Sequence, residues 1–124
     1  MNEQKMMELI NEYGLIQVIH DVYGSNIKVE IGFSNAACET SIDDINFSVR
    51  SQNALKRAGL FTVRNVIEAI SHDGLLQIRN LGKKSMNEIK TRILAFGYDQ
   101  LSVTGKLEFV RDLMKRNTAV IGDK

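Results

Sequence analysis

The first third of the chain shows two different hydrophobic periods. Apolar residues recur at helical spacing over 6–13 and again over 15–23, and Gly14 separates the two stripes. We expect a short helical pair here, although the crowded β-branched residues of 15–23 leave a strand as the alternative. From 27 to 33 apolar and polar residues alternate, which is the pattern of a half-buried strand. Because a lone strand is marginal, it needs a partner: the 15–23 segment, a second copy of the protein or another protein's sheet edge.

The next segment, from Ser34 to Thr40, is small and polar, which indicates a linker and places a domain boundary near residue 40. Beyond it, Ser48 and Thr62 each precede an apolar stripe of helical period. Both residue types are favoured as helix N-caps, because their hydroxyl oxygens accept hydrogen bonds from the first free backbone N–H groups. The sequence therefore predicts two short helices after the boundary.

A second helical pair follows. The sequence His72-Asp73-Gly74 predicts a break, after which a short helix leads into a hairpin at 79–82. A longer helix is expected from Lys83 to Phe96, with Gly97 ending it. The predicted fold class is mainly α: a compact bundle of about five short helices containing helix-hairpin-helix motifs, with a small N-terminal helical and strand extension.

The last part of the sequence, residues 99–124, predicts one more amphipathic helix and a frayed tail over 117–124. Gly105 weakens the start of that helix. Its apolar stripe consists of five residues: Val103, Leu107, Val110, Leu113 and Met114.

Charge is divided unevenly along the sequence. Residues 1–40 contain two Lys or Arg against six Asp or Glu, a net charge of −4. Residues 41–98 contain nine against five, giving +4, and residues 99–124 contain five against four, giving +1. Because phosphate neutralisation depends on local cations, only the middle part has the balance expected of a nucleic-acid-binding segment. A solvated helical surface of the same charge is the alternative.

Several function classes find no support. Apolar runs are short and no basic-apolar leader is present, so we expect a cytosolic protein without a membrane span or signal peptide. The single cysteine, Cys38, excludes an internal disulfide and has no base or second ligand beside it. His20 and His72 lack companion ligands at metal spacing, and no catalytic triad or phosphate-loop signature occurs. We therefore expect no cofactor, no metal and no catalysis.

Two motifs, residues 48–59 and residues 80–90 about thirty positions later, indicate chemistry directed at a DNA backbone. The second motif passes through a glycine into a helix start, so free N–H groups, the positive helix end and two lysines converge where a phosphate fits. Together with residues 59–63, the motifs closely resemble the C-terminal domain of the bacterial RNA polymerase alpha subunit. The resemblance covers roughly Ser41 to Tyr98.

A cation in the first turn after Ser48 is unfavourable beside the positive helix end, so an anionic ligand would explain Arg50. The resemblance implies that Arg50 enters the narrow minor groove of A·T-rich DNA; a solvated surface arginine is the alternative. A purely structural role is the alternative for Gly82, which can shape the hairpin, and for Ser85, which can form a capping box with Glu88. The remaining DNA contacts that the resemblance implies are Asn53, Ala54, Asn80, Gly82, Lys83, Lys84 and Ser85.

The resemblance also implies protein contacts. Asp43 and Asp44 lie where the family offers acidic residues to the promoter-recognition (sigma) subunit, but Asn46 departs from the acidic residue usual there. His72 and Asp73 correspond to a surface used by transcription activators, and a plain helix-helix turn is the alternative.

The sequence is interpreted as three parts: an acidic extension at 1–40, which forms an interaction or dimerisation element, the alpha C-terminal-like domain at 41–98, and the helix and tail at 99–124. Because forty residues stand in place of the family's long assembly domain, we expect a free-standing DNA-binding module of bacterial transcription. Its expected partners are A·T-rich duplex DNA, the sigma subunit, activators or RNA polymerase, and a second copy through 1–40. Alternatives are a protein-interaction adaptor without DNA affinity and, less favoured, a DNA-repair or recombination accessory.

Overall fold

The computed structural model describes residues 2–24 and 32–117, and these residues are mainly helical, as predicted. Within them lie two 3₁₀ turns, Ile42–Asp44 and Gly74–Gln77, and an isolated antiparallel bridge between Ser41 and Thr62, but no β-strand. The α-helices are α1 (Glu3–Tyr13), α2 (Leu15–Tyr23), α3 (Asn35–Cys38), α4 (Val49–Arg57), α5 (Val63–Ser71), α6 (Lys83–Asp99) and α7 (Val103–Arg116). Most of the strand predicted at 27–33, and nearly all of the predicted frayed tail, lie outside the described residues.

The protein divides into two compact units. One, which we call the terminal unit, comprises Met1–Ile31 and Tyr98–Lys124, and the other, the central unit, comprises Gly32–Gly97. The sequence instead placed the boundaries near residues 40 and 98.

The terminal unit is built from α1, α2 and α7. Asn2 caps α1 by accepting a hydrogen bond from the backbone N–H of Lys5 at 2.8 Å. Gly14, at φ 88°, separates α1 from α2, and the helical interpretation of 15–23 is confirmed. Burial of the α2 side chains outweighs the weak helix propensity of β-branched residues. The buried residues of α2 are Leu15, Val18, Ile19, Val22 and Tyr23.

The apolar side of α1 is covered within the protein itself, since α1 packs against both α2 and α7. The buried side of α7 differs from the predicted stripe: Val103 is 82% exposed and Leu107 is also exposed, whereas Phe109 is buried with Val110 and Leu113. Val110 and Leu113 of the predicted stripe are buried as expected, whereas Val103 in the first turn is not. Helix α7 therefore covers part of the apolar surface of the N-terminal extension, while most of the strand for which a partner was expected lies outside the described residues.

The central unit encloses a separate aliphatic core. Thr62 and Asn65 form a capping box at the start of α5, with reciprocal hydrogen bonds of 3.2 and 3.3 Å. Ser48 caps α4, as predicted, by accepting from the N–H of Ser51 at 3.2 Å. The innermost core side chains come from five elements: Ile42, Leu55, Val63, Val66, Leu75, Ile89 and Ile93.

The linker interpretation of Ser34–Thr40 is wrong. Ser34 caps α3 by accepting from the N–H of Ala37 at 3.1 Å, and Ala37 is buried. The carbonyl of Thr40 accepts a hydrogen bond from the N–H of Val63 at 2.9 Å. The segment is small and polar because it packs closely and caps a helix, so it belongs to the central unit.

The end of α6 was also predicted incorrectly, because the helix does not stop at Gly97. The helix continues to Asp99, and Tyr98 is buried with its ring edge-on to Phe109, the centroids 5.3 Å apart. A mid-helix glycine costs about 1 kcal/mol, and the burial of one aromatic side chain offsets that cost.

Candidate nucleic-acid interface

The start of α4 presents the first predicted motif. Its first turn comprises Val49, Arg50 and Ser51, none of which is acidic. Arg50 and Asn53 are both exposed and lie one turn apart on the same side of the helix. These two side chains therefore point into solvent, where a ligand can reach them.

The hairpin before α6 turns at Asn80 rather than at Gly82. Asn80 has φ 65°, in the left-handed region, whereas Gly82 has no positive φ. Hairpin shaping was the alternative role considered for Gly82, but asparagine also tolerates the left-handed conformation because its short polar side chain bonds locally. At Gly82 a Cβ would meet nothing within 4 Å among the described residues. The glycine therefore leaves open space on the surface beside the helix start.

The start of α6 carries no cap. The carbonyl of Gly82 accepts the first helical hydrogen bond, from the N–H of Met86 at 3.0 Å. Within the described residues, no group accepts a hydrogen bond from the backbone N–H of Lys83, Lys84 or Ser85. By contrast, α1, α3, α4, α5 and α7 are all capped by the side chain of the residue before them, whereas α2, which follows Gly14, also has no side-chain cap. The first turn of α6 is therefore a set of free donors beside two exposed lysines, at the positive end of a helix dipole.

Glu88 joins the two motifs. Its carboxylate accepts a hydrogen bond from the backbone N–H of Ser48, the N-cap of α4, at 3.1 Å. The capping box considered for Ser85 and Glu88 is therefore not formed, because the Glu88 side chain reaches the other helix. The Ser51 hydroxyl is fully buried and has no partner at strict hydrogen-bonding geometry among the described residues, but it faces the same carboxylate.

The environment of Glu88 changes its acidity. Partial burial raises the pKa of this carboxyl, but the nearby Ser51 hydroxyl and the hydrogen bond from the Ser48 backbone lower it by more, so the net pKa lies below the ordinary value of 4.5. The carboxylate form is thus the form that holds the start of α4 against α6.

This link brings the cations of both motifs to one side of the central unit. Lys84 and Glu88 lie one turn apart on the same face of α6, and Arg50 is two residues from Ser48. Arg50, Lys83 and Lys84 are all exposed, and none forms an ion pair within the described part of the protein. The Glu88–Ser48 hydrogen bond therefore places the start of α4, which carries Arg50, beside α6 at one turn after Lys84.

An open groove of about 630 Å³ lies in the central unit, and its lining includes Ala54 and Asn80 from the two motifs. Ala54 is only 2% exposed, so a molecule reaches it through the groove and not over a protruding side chain. Sequence reasoning missed two further lining residues, Arg57 and Arg79. Their positions in the sequence could have indicated both residues, because Arg57 lies one turn beyond Asn53 and Arg79 directly precedes Asn80.

None of the predicted protein-contact residues lines the groove. Asp43 pairs with Lys56 Nζ at 2.8 Å and accepts from Gln52, on a different face of α4 from Asn53. The hydrogen bond from Lys56 lowers the pKa of the Asp43 carboxyl despite slight desolvation. Asp44 is exposed on the adjoining 3₁₀ turn.

His72 and Asp73 lie at the end of α5. His72 is its C-cap residue and Asp73 takes the left-handed conformation at φ 55°, so the predicted break is confirmed. Both side chains are exposed. Among the described residues, no group of three His, Cys, Asp or Glu side chains could hold a metal ion. No helix in residues 2–24 or 32–117 has the combined length and hydropathy needed to cross a bilayer.

Curated relatives share the central part of the sequence. A DNA-directed RNA polymerase subunit alpha of Corynebacterium jeikeium is 41% identical over 96 residues, which is 72% of this protein and 27% of the relative. The corresponding subunit of Symbiobacterium thermophilum is 43% identical over 63 residues, covering 51% and 20%. That of Clostridium botulinum is 46% identical over 59 residues, covering 48% and 18%. The matched part thus spans about a fifth to a quarter of these relatives.

No solved structure matches the protein significantly. The family described as the C-terminal domain of the bacterial RNA polymerase alpha chain matches residues 33–94, which is half of the sequence and includes both motifs, α4 and the start of α6. With this match the resemblance seen in the sequence is confirmed, and the protein belongs to the family of bacterial RNA polymerase alpha C-terminal domains.

Proposed function

We propose that the central unit binds duplex DNA through the minor groove of A·T-rich sequence. The observation that supports this most strongly is the start of α6, where exposed Lys83 and Lys84 stand beside backbone N–H groups that no described residue bonds, on a helix that the Glu88–Ser48 hydrogen bond joins to the start of α4. Free backbone donors, a helix dipole and cations are the groups that bind phosphate oxygens. A narrow A·T-rich groove has an enhanced negative potential that attracts an inserted arginine.

Within this surface the residues have separate tasks. Arg50 reads the groove, whereas Lys83 and Lys84 neutralise phosphates and carry no base specificity. Asn53 and Ser85 contact the sugar-phosphate backbone, and the open space at Gly82 admits it closely. These groups contact about three to five phosphates, which contribute roughly −3 to −5 to the log-log salt slope of binding.

The wider function is proposed from the family. The matched relatives are named as DNA-directed RNA polymerase alpha subunits, so the protein acts in bacterial transcription in association with RNA polymerase, at the nucleoid, and performs no catalysis of its own. Asp44 is a candidate contact for the sigma subunit and His72 with Asp73 a candidate contact for activators. Asp43 is less available because Lys56 and Gln52 occupy its carboxylate.

The test is fluorescence anisotropy with labelled A·T-rich and G·C-rich duplexes over a series of salt concentrations. Arg50→Ala should remove most of the preference for A·T-rich DNA, whereas Lys84→Ala should weaken both duplexes alike, each by about 1–3 kcal/mol at most. Lys5→Ala, which removes an exposed charge on α1, is the matched control and should change neither quantity. Circular dichroism should show that all three variants stay folded.

Absence of binding at low salt, or a salt slope near zero, would contradict the DNA-binding function and would favour a protein-interaction adaptor. Unfolding of Arg50→Ala would show instead that Arg50 has a structural role.

A further inference from the structure

The groove beside the proposed DNA-binding surface has an unbalanced charge. Arg57 and Arg79 are both exposed and both contribute to its lining, and none of the described residues that line it is acidic. Two like charges on one concave surface repel each other, and bound anions relieve this repulsion.

Neighbouring cations of the central unit behave differently. Lys56 pairs with Asp43 at 2.8 Å and Arg64 pairs with Glu39 at 3.2 Å. Within the described part of the protein, neither Arg57 nor Arg79 has such a pair. The α4 C-terminus, where the helix dipole is negative, stabilises Arg57, but Arg79 lies in the hairpin and has no comparable internal reason for its position.

Arg57 and Arg79 each lie next to proposed DNA-contact residues in the sequence. On α4, Arg50, Asn53 and Arg57 follow one another at intervals of three and four residues, so they form one stripe along the helix. In the hairpin, Arg79 directly precedes Asn80, whose left-handed backbone turns the polypeptide toward Lys83. The groove is therefore lined by one arginine from the α4 stripe, Arg57, and one from the hairpin, Arg79.

We infer that Arg57 and Arg79 contact further phosphates of the same DNA duplex, on the backbone that runs along the groove; this rests on the proposed function. DNA is favoured over an acidic peptide because the groove shares Ala54 and Asn80 with the proposed DNA surface. With two more contacts the complete protein should neutralise about five to seven phosphates, and its salt slope should be roughly −5 to −6.

The experiment uses the full-length protein and the A·T-rich duplex at salt concentrations from about 50 to about 300 mM. Arg57→Gln/Arg79→Gln should reduce the magnitude of the slope by about 2 and weaken binding by roughly eightfold for each lost contact near 0.1 M salt, while the A·T preference persists. Arg57→Lys/Arg79→Lys, which keeps both charges, should restore most of the slope. Lys5→Gln/Lys115→Gln removes two exposed charges from the terminal unit and should leave the slope unchanged.

The outcomes separate this inference from the proposed function. If the unmodified protein does not bind DNA, the proposed function fails and this inference fails with it. If the unmodified protein binds and Arg50→Ala removes the A·T preference, but Arg57→Gln/Arg79→Gln leaves the slope unchanged, only the groove assignment is overturned. The same two proteins should also be tested with an oligoglutamate peptide. If the peptide binds the unmodified protein but not Arg57→Gln/Arg79→Gln, and the salt slope for DNA is the same for both, the groove binds an acidic protein partner instead.

Discussion

Substitution of Glu88 by alanine should destabilise the central unit and disturb the proposed DNA surface together. The Glu88 carboxylate accepts the hydrogen bond from the N–H of Ser48 and faces the buried Ser51 hydroxyl. Alanine leaves the backbone N–H of Ser48 without its acceptor, and it removes the carboxylate that the buried Ser51 hydroxyl faces. It also removes the contact that sets the distance between Arg50 and Lys84.

The size of the effect follows from the two donors. A hydrogen bond to a charged acceptor contributes about 1.5–3 kcal/mol, and a buried donor left unsatisfied costs about 1–3 kcal/mol. Glu88 is only half-buried, so water reaches the site and partly replaces the lost acceptor. We therefore expect a loss of roughly 1–2 kcal/mol, which lowers the melting temperature of a unit of this size by about 5–15 °C.

The effect should also depend on pH. Because the folded-state pKa of Glu88 lies below its ordinary value of 4.5, its stabilising contribution is complete above about pH 5 and is lost as the pH falls through the folded-state pKa. Thermal and urea unfolding of the unmodified protein and of Glu88→Ala should therefore differ most at neutral pH and converge in acid. Glu88→Gln, which keeps an acceptor oxygen but no charge, should show an intermediate loss at neutral pH.

Glu68→Ala is the matched control, because Glu68 is an exposed carboxylate on α5 in the same unit. It should change stability by less than about 0.5 kcal/mol. An equal stability loss for Glu88→Ala at pH 3 and pH 7, or a loss no larger than that of Glu68→Ala, would refute the structural role assigned to the carboxylate.

Two further predictions concern other parts of the molecule. Met6→Ala opens a cavity at a fully buried position of the terminal unit and should lower the free energy of unfolding, measured in urea, by about 2–5 kcal/mol. Val103→Ala, at an exposed position of the same unit, is the control and should lower it by less than about 0.5 kcal/mol. Equal losses of stability would contradict the packing of α1. Asn80→Ala should destabilise the central unit by about 1 kcal/mol because of its left-handed backbone, whereas Asn80→Gly should stay about as stable and still bind DNA more weakly. Unchanged DNA affinity in Asn80→Gly would restrict Asn80 to a structural role.

The features that sequence patterns predicted correctly are those set by neighbouring residues. Ser48 and Thr62 cap their helices because hydroxyl-to-backbone bonds span only three positions. The break at His72–Gly74 likewise depends on local conformation. Local chemistry was therefore sufficient for the helix boundaries inside 41–82.

The incorrect predictions concern features that depend on contacts between residues far apart in the sequence. Gly97 lies within α6 because the burial of Tyr98 offsets its low helix propensity. The side of α7 that is buried depends on the position of α1, which is about a hundred residues earlier in the sequence. The groove arginines were missed for the same reason, since Arg57 and Arg79 become neighbours only when α4 and the hairpin come together.

The hydrogen bond between Glu88 and Ser48, which are forty residues apart, changes how strongly each cation indicates a DNA ligand. Arg50 was singled out because a cation is unfavourable at a positive helix end, but the Glu88 carboxylate already supplies a negative charge at the start of α4. The position of Arg50 at a positive helix end is therefore weaker evidence for an anionic ligand. No comparable carboxylate among the described residues bonds to the start of α6, where Lys83 and Lys84 stand beside free N–H groups. The phosphate site should accordingly centre on α6, with Arg50 contributing selectivity more than affinity.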